Sequence, residues 1–218
     1  MTSGDRSAAT ATGRGVSGDA PFDRYGAADV ADLIREYPLA WVVARAGGAV
    51  GASLLPLLVE TGADGAVATL VGHMARRNPL FAALTVDPGA LILFTGPNGY
   101  VSPNTVGDRN WGPTWNYAQV RVEAEVTFVS EENDAALAAL TAAMERDQPA
   151  PWQVAEIGDR YDGMAAAIIA FRARVTRLEA RFKLGQDERP AVLAAILAGQ
   201  GDADLVRWMR RMNAERLG

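Results

Sequence analysis

Residues 120–128 read Val-Arg-Val-Glu-Ala-Glu-Val-Thr-Phe, with an apolar side chain at every second position. A period of two predicts an extended strand with one buried and one wet face, because successive side chains on a strand point to opposite sides. The alternation returns at residues 171–178, Phe-Arg-Ala-Arg-Val-Thr-Arg-Leu. The fold is therefore expected to rest on a β-sheet that contains both segments.

Shorter apolar runs upstream predict further strands. Residues 39–44 and 50–59 are separated by Gly47-Gly48, which indicates two strands joined by a tight turn. Residues 66–71 and 90–94 are two more apolar runs, bounded by Gly, Asp and Pro. Closely spaced strands with few helices between them predict a closed or nearly closed β-barrel.

Helical patterns surround these strands. Apolar residues recur at helical spacing from Val30 until Pro38 interrupts them. Residues 1–20 are rich in Ser, Thr, Gly and Ala, which predicts a disordered tail. Residues 21–218 are predicted to form a single domain, with a helical insert at 131–168 and C-terminal helices at 188–216. The individual helices are predicted at 130–147, 154–167, 190–198 and 202–216.

The composition excludes several classes of protein. The 218 residues include no cysteine, which removes disulfides, iron–sulfur clusters and thiol nucleophiles. No apolar run approaches the ~20 residues needed to span a bilayer, and the N-terminus lacks a signal-peptide pattern, which predicts a cytoplasmic protein without a membrane partner. The net charge of −5 argues against a broad nucleic-acid-binding face.

His73 is the single histidine of the chain. A lone imidazole cannot build a zinc site of three or four nitrogen and sulfur ligands. It can supply the proximal ligand of a haem, where the macrocycle provides the other four nitrogens. From composition alone, a structural histidine at a strand end is the commoner outcome and stays the alternative.

Polar residues follow His73 directly. Asn78-Pro79 is expected to end a strand and begin a short helix, which places Arg76 and Arg77 near a helix N-terminus. Backbone donors and two guanidiniums together form a candidate site for a phosphate or carboxylate. The simpler interpretation of an isolated Arg-Arg pair is a solvated turn.

Two further segments combine glycine with aromatic residues. Residues 95–103, Thr-Gly-Pro-Asn-Gly-Tyr-Val-Ser-Pro, suit a fixed backbone that approaches a ligand, although a hairpin turn is the simpler interpretation. Residues 108–117 hold two Trp, one Tyr and Arg109 just before a strand, which is typical of a pocket for a planar cofactor or small ligand. Lys183 adds a candidate cofactor contact or proton donor, although most such lysines are solvated.

Four segments, in this order, resemble the PaiB-type family, also called FMN-binding negative transcriptional regulators. They are GHMARRNP (72–79), TGPNGYVSP (95–103), PTWNYAQV (113–120) and RFKLGQD (181–187). The resemblance implies an α+β split β-barrel of the FMN-binding type, with peripheral helices and a helical C-terminal extension. It also implies a homodimer with cofactor sites at the subunit interface. One branch of the family comprises the haem-dependent piperazate synthases, which close a ring through an N–N bond.

The chain departs from the regulator-like pattern of that family. Ser53-Leu54-Leu55-Pro56 stands where such members often read Thr-His-Leu-Pro, and Gly96-Pro97-Asn98-Gly99-Tyr100 where they read Gly-Pro-His-Ala-Tyr. Two familiar histidines are thus missing while His73 is kept. A site with a single imidazole suits a five-coordinate haem with an open face, and sequence drift is the alternative explanation.

The resemblance therefore implies an enzyme that binds haem b and converts N5-hydroxy-L-ornithine, an amino-acid substrate, to L-piperazic acid and water. His73 would be the metal ligand. Tyr100, Arg109, Tyr117 and Lys183 are the candidate catalytic residues. The candidate cofactor-binding residues are His73, Arg76, Arg77, Asn78, Ser102, Trp115, Asn116 and Lys183.

Two other functions remain open at this point. The first is an FMN-binding oxidoreductase or redox sensor, in which Arg76, Arg77, Ser102 and Lys183 would hold the phosphate and Trp115 would flank the isoalloxazine. The second is a DNA-binding regulator that uses the arginines of the last helix, for which a solvated helix face is the simpler interpretation. Those arginines are Arg207, Arg210 and Arg211.

Overall fold

The computed structural model describes residues 21–46 and 49–217, and six antiparallel strands in this part of the chain close into a barrel. Around the barrel the strands follow the order β1-β2-β3-β6-β5-β4, and β4 pairs with β1 to close it. The predicted barrel is confirmed, while the turn at Gly47-Gly48 and the tail at 1–20 lie outside the described residues. The strands are β1 (Leu39–Ala46), β2 (Ala49–Thr61), β3 (Val67–Ala75), β4 (Gly89–Val101), β5 (Thr114–Phe128) and β6 (Ile168–Lys183).

Helices cover parts of the barrel and extend it at the C-terminus, which confirms the α+β class. The predicted helix at 154–167 is divided into a 3-10 segment (Val154–Arg160) and a short α-helix (Tyr161–Ala166). Gly158, with φ 63°, kinks the chain inside the first of these. The helices are α1 (Ala27–Glu36), α2 (Pro79–Val86), α3 (Pro103–Val106), α4 (Asn133–Glu145), α5 (Tyr161–Ala166), α6 (Pro190–Gly199), α7 (Ala203–Met212) and α8 (Ala214–Leu217).

Large apolar side chains fill the interior of the barrel. Along β5 the alternating residues Val120 and Val122 point inward and are almost fully buried. Phe94, Phe171 and Phe182 come from neighbouring strands and are equally buried. The polar residues of β5 and β6 point outward, as the period of two predicts.

The interpretation of residues 95–103 as a hairpin turn is wrong. These residues continue β4 to Val101, with a register shift between Thr95 and Asn98. A side chain at Gly96 would place its Cβ 2.5 Å from Cδ1 of Leu33 on α1. This glycine is therefore required for the close approach of a helix to the strand, and not for a turn.

The C-terminal helix α7 is anchored to α1. Trp208 is fully buried and stacks on Phe182, with ring centroids 5.7 Å apart. Arg207 pairs with Glu36 at 2.8 Å, and Arg211 pairs with carboxylates of the same helix α1. Arg207 keeps an exposed side chain, as the predicted solvated face requires, and its charge and that of Arg211 are paired with carboxylates of this chain.

Candidate functional site

His73 lies on the outer face of β3. Its neighbour Gly72 pairs with Leu57, whose side chain is buried inside the barrel, so the side chain of His73 points outward. The imidazole is half-buried, and its Nδ1 is buried without a hydrogen-bond partner in the described part of the chain. Burial lowers the pKa of His73 below its usual value, because desolvation disfavours the charged form. Burial therefore favours the neutral form of the imidazole.

Three polar residues follow His73 at the start of α2, as predicted. Asn78 caps this helix: its Oδ1 accepts hydrogen bonds from the Leu80 backbone N at 3.0 Å and from Ser53 Oγ at 3.1 Å. Arg76 donates through Nε to the carbonyl of Ala166 at 3.1 Å. We call His73, Arg76, Arg77 and Asn78 the His73 cluster.

A second group of side chains lies where β4, β5 and β6 meet. The rings of Tyr100 and Trp115 are 5.9 Å apart, and Trp115 Nε1 donates to Asn98 Oδ1 at 3.3 Å. Lys183 pairs in register with Tyr117, and its Nζ donates to the carbonyl of Trp115 at 3.0 Å. We call Asn98, Tyr100, Trp115, Tyr117 and Lys183 the aromatic cluster. They adjoin an open cavity of about 380 Å³ lined by Thr95, Asn98, Trp115, Tyr117, Ala118 and Gln119.

Three predicted site residues lie apart from both clusters. Asn116 is only 2% exposed and donates to Met209 Sδ at 3.6 Å inside the core, so its assignment to a cofactor is corrected: the strand alternation turns it inward. Ser102 caps α3 by accepting from Asn104 N at 3.2 Å. Arg109 donates to Asn104 Oδ1 at 2.9 Å, on the exposed segment before β5.

An exposed apolar surface connects the two clusters, which sequence reasoning missed. Leu39 on β1 pairs with Pro56 on β2. One residue beyond the hydrogen-bonded pairs of the neighbouring strands, Leu39 lies beside Thr95 of β4, and Pro56 lies beside His73 of β3. This row spans three strand spacings, roughly 14 Å. Four exposed apolar side chains lie in or beside this row, and we call them the apolar floor: Leu39 (51% exposed), Trp41 (49%), Leu54 (45%) and Leu93 (36%).

A filled six-stranded barrel that carries polar and aromatic clusters on its outside is a split barrel with a surface ligand site. Residues 19–177 match the family model described as "Putative FMN-binding domain", and the chain belongs to this family. No helix in the part of the chain that the structure describes is both long and apolar enough to cross a membrane.

Relatives and solved structures agree with this assignment. The chain is 27% identical to the protease synthase and sporulation protein PAI 2 of Bacillus subtilis, over 74% of this chain and 77% of that protein. It is 30% identical to an uncharacterised Aspergillus fumigatus protein, covering 55% of this chain and only 60% of that protein. The FAD and heme binding protein from Mycobacterium smegmatis shares the fold, with a TM-score of 0.59 and 19% identity over 80% of this chain and 78% of that one. The split-barrel fold class is confirmed.

Proposed function

We propose that the protein is a haem-dependent cyclase that forms an intramolecular N–N bond, with N5-hydroxy-L-ornithine as substrate and L-piperazic acid and water as products. The observation that carries this proposal is His73. It is a half-buried imidazole on the outer face of β3, and because its Nδ1 is buried, Nε2 is the nitrogen that would bind the iron. The fold itself is compatible with haem, since the M. smegmatis neighbour is described as binding FAD and haem.

The residues around His73 fit an anionic macrocycle. A haem carries two propionates, and Arg76 and Arg77 are exposed cations within four residues of the imidazole. The described residues contain no group of three His, Asp or Glu side chains that could hold a metal ion by themselves. A haem bound through His73 would take four nitrogen ligands from its own macrocycle.

The proposed reaction is redox-neutral. The α-amine nitrogen attacks the hydroxylated nitrogen, the N–O bond breaks with both its electrons, and hydroxide leaves as water after protonation. Haem iron would supply Lewis-acid polarisation of the N–O bond. Tyr100 and Tyr117 lie beyond the far end of the row, roughly 14 Å or more from His73. Their hydroxyls would therefore exchange a proton with the leaving oxygen only across a subunit interface, and the same holds for Arg109 as the group that binds the substrate carboxylate.

We further propose that a second copy of the chain covers the apolar floor. Four large apolar side chains at 36–51% exposure form a contiguous patch, and patches of this kind mark interaction sites. A homodimer built on this patch would enclose the row between His73 and Thr95. Cofactor and substrate would then lie between two subunits and away from bulk water.

FMN binding is the second candidate, because the family description itself names this cofactor. Arg76 and Arg77 beside the N-terminus of α2 suit a phosphate. Trp115, half-exposed beside the cavity of the aromatic cluster, can flank an isoalloxazine ring.

The absorption spectrum of the purified protein, reconstituted with haem and separately with FMN, tests the two candidates. We expect a Soret band that His73→Ala abolishes and that Thr69→Ala, a change at another outward position of β3, leaves intact. Retention of haem with unchanged ligation in His73→Ala would overturn the assignment. Mass spectrometry of N5-hydroxy-L-ornithine incubated with the holoprotein should show loss of one water, and no such product from a haem-loaded enzyme would reject the reaction.

Dimer formation is tested separately by analytical ultracentrifugation. Trp41→Arg on the floor should yield monomers, whereas Arg174→Ala on the exposed β6 surface should not. A monomeric wild-type protein with its cofactor bound would refute the dimer.

A further inference from the structure

A cavity of about 410 Å³ opens between α4 and the outer surface of β2, away from the residues assigned to the cofactor. Only the N-terminal part of α4 packs tightly on the barrel. Asn133 donates to the carbonyl of Ile168 at 3.2 Å and accepts from Ala170 N at 2.8 Å, and Ala136 is the buried residue of the helix. Further along, the helix presents alanines, whose small side chains leave a gap above Leu58 and Val59.

The lining of this cavity combines apolar walls with positive charge. Arg35 and Arg146 contribute the only charged side chains among its lining residues, and no carboxylate lines it. Arg146 forms no ion pair with a carboxylate in the described part of the chain, whereas Arg35 shares Asp32 at 3.0 Å. Glu145 and Asp147 flank Arg146 in the sequence, and neither pairs with it among the described residues; Glu145 accepts instead from Trp152 N at 3.0 Å. The walls include Pro38, Leu58, Val59, Ala139, Ala142 and Ala143.

We infer that this cavity binds a small amphipathic anion, a medium-chain carboxylate whose chain lies under α4 and whose carboxylate meets Arg146 and Arg35. The volume falls in the range of about 300–1,000 Å³ typical of small-ligand sites. An apolar pocket bordered by Arg146, which has no ion pair among the described residues, and by Arg35 favours one anionic head group over a neutral or cationic one. The inference is independent of the cofactor, since no residue of the His73 cluster or the aromatic cluster lines the cavity.

Calorimetry with decanoate, kept below its micellar concentration, tests the inference on the full chain. We expect saturable one-to-one binding that weakens roughly fourfold per methylene removed, which corresponds to about 0.8 kcal/mol per buried CH₂. Decanol at the same concentration should bind more weakly than decanoate. Arg146→Glu should weaken decanoate binding about tenfold, and the exposed Arg160→Glu should not.

Two variants on α4 separate a filled cavity from a general surface effect. Ala142→Phe places a ring in the cavity and should abolish binding, while Ala138→Phe, on an exposed position that does not line the cavity, should retain it. Circular dichroism checks that both remain folded, and His73→Ala should bind decanoate as the wild type does. Absence of saturable binding, equal binding by both phenylalanine variants, or conversion of a dimer to a monomer by Ala142→Phe alone would overturn the inference.

Discussion

Replacing Gly72 by alanine tests the packing that positions His73. A Cβ at this residue would lie 2.5 Å from Leu57 Cδ2, 3.0 Å from Phe171 Cζ and 3.2 Å from the backbone oxygen of Pro56. Leu57 and Phe171 are fully buried, and the Pro56 oxygen cannot rotate away. Relief therefore requires β2 and β3 to separate, because a close-packed interior offers no free volume.

The expected cost follows from these contacts. Overpacking a well-packed core costs about 1–3 kcal/mol, and the smaller unfolded-state entropy of alanine offsets about 0.4–1 kcal/mol of it. A net loss of about 1–2 kcal/mol should lower Tm by roughly 2–8 °C in a chain of this size.

Thermal unfolding of the cofactor-free protein followed by circular dichroism measures this loss. The matched control is Gly112→Ala, where a Cβ meets nothing within 4 Å and φ is not in the left-handed region, and Tm should be nearly unchanged. A Gly72→Ala protein as stable as the wild type would show that β2 and β3 do not approach each other as described. Under the proposed function, Gly72→Ala should also weaken haem binding, since the strand that carries His73 must move.

Two further predictions concern α1 and its contact with α7. Tyr37 has a buried hydroxyl without a hydrogen-bond partner in the described chain, and burial together with the charge of Asp204 raises its pKa to about 12. The folded state then holds this proton more tightly than the unfolded state does, so the stability that Tyr37 contributes is lost as pH rises from about 10 towards 12. In urea unfolding, the stability of Tyr37→Phe should decline less over that pH window and should equal or exceed that of the wild type at pH 7. A steeper decline would contradict the reasoning. Arg211→Ala removes an ion pair with Asp29 at 2.7 Å, a second pair with Asp32 and the packing on Trp208. It should lower the free energy of unfolding by about 0.5–1.5 kcal/mol, whereas the control Arg210→Ala should change it by less than ~0.5 kcal/mol. Equal effects of the two substitutions would show that the ion pairs contribute nothing.

The sequence predicts the strands well because their signal is local. The period of two holds along β5, and extending it backwards from Val120 would have turned Asn116 inward and Trp115 outward. In β6 the alternation is interrupted where the register with β5 shifts between Glu123 and Ala124. The role of Gly96 could not be predicted, because it depends on Leu33, far away in the chain. The pairing of α7 with α1 is equally long-range, and only the folded chain brings Arg211 to Asp29.

The outer surface of the barrel has a charged part on β5 and β6 and an apolar part on β1. On β5 and β6 the outward residues form ion pairs across strands, such as Arg121 with Glu179 at 3.3 Å, which satisfies that surface in water. The strand β1 differs, because residues 39–44 are apolar on both faces. One face fills the barrel, and the other exposes Leu39 and Trp41 in a patch of the kind that marks interaction sites. Under the proposed function, this doubly apolar strand is where the cofactor and the second subunit would meet, and His73 and the aromatic cluster lie on its two sides.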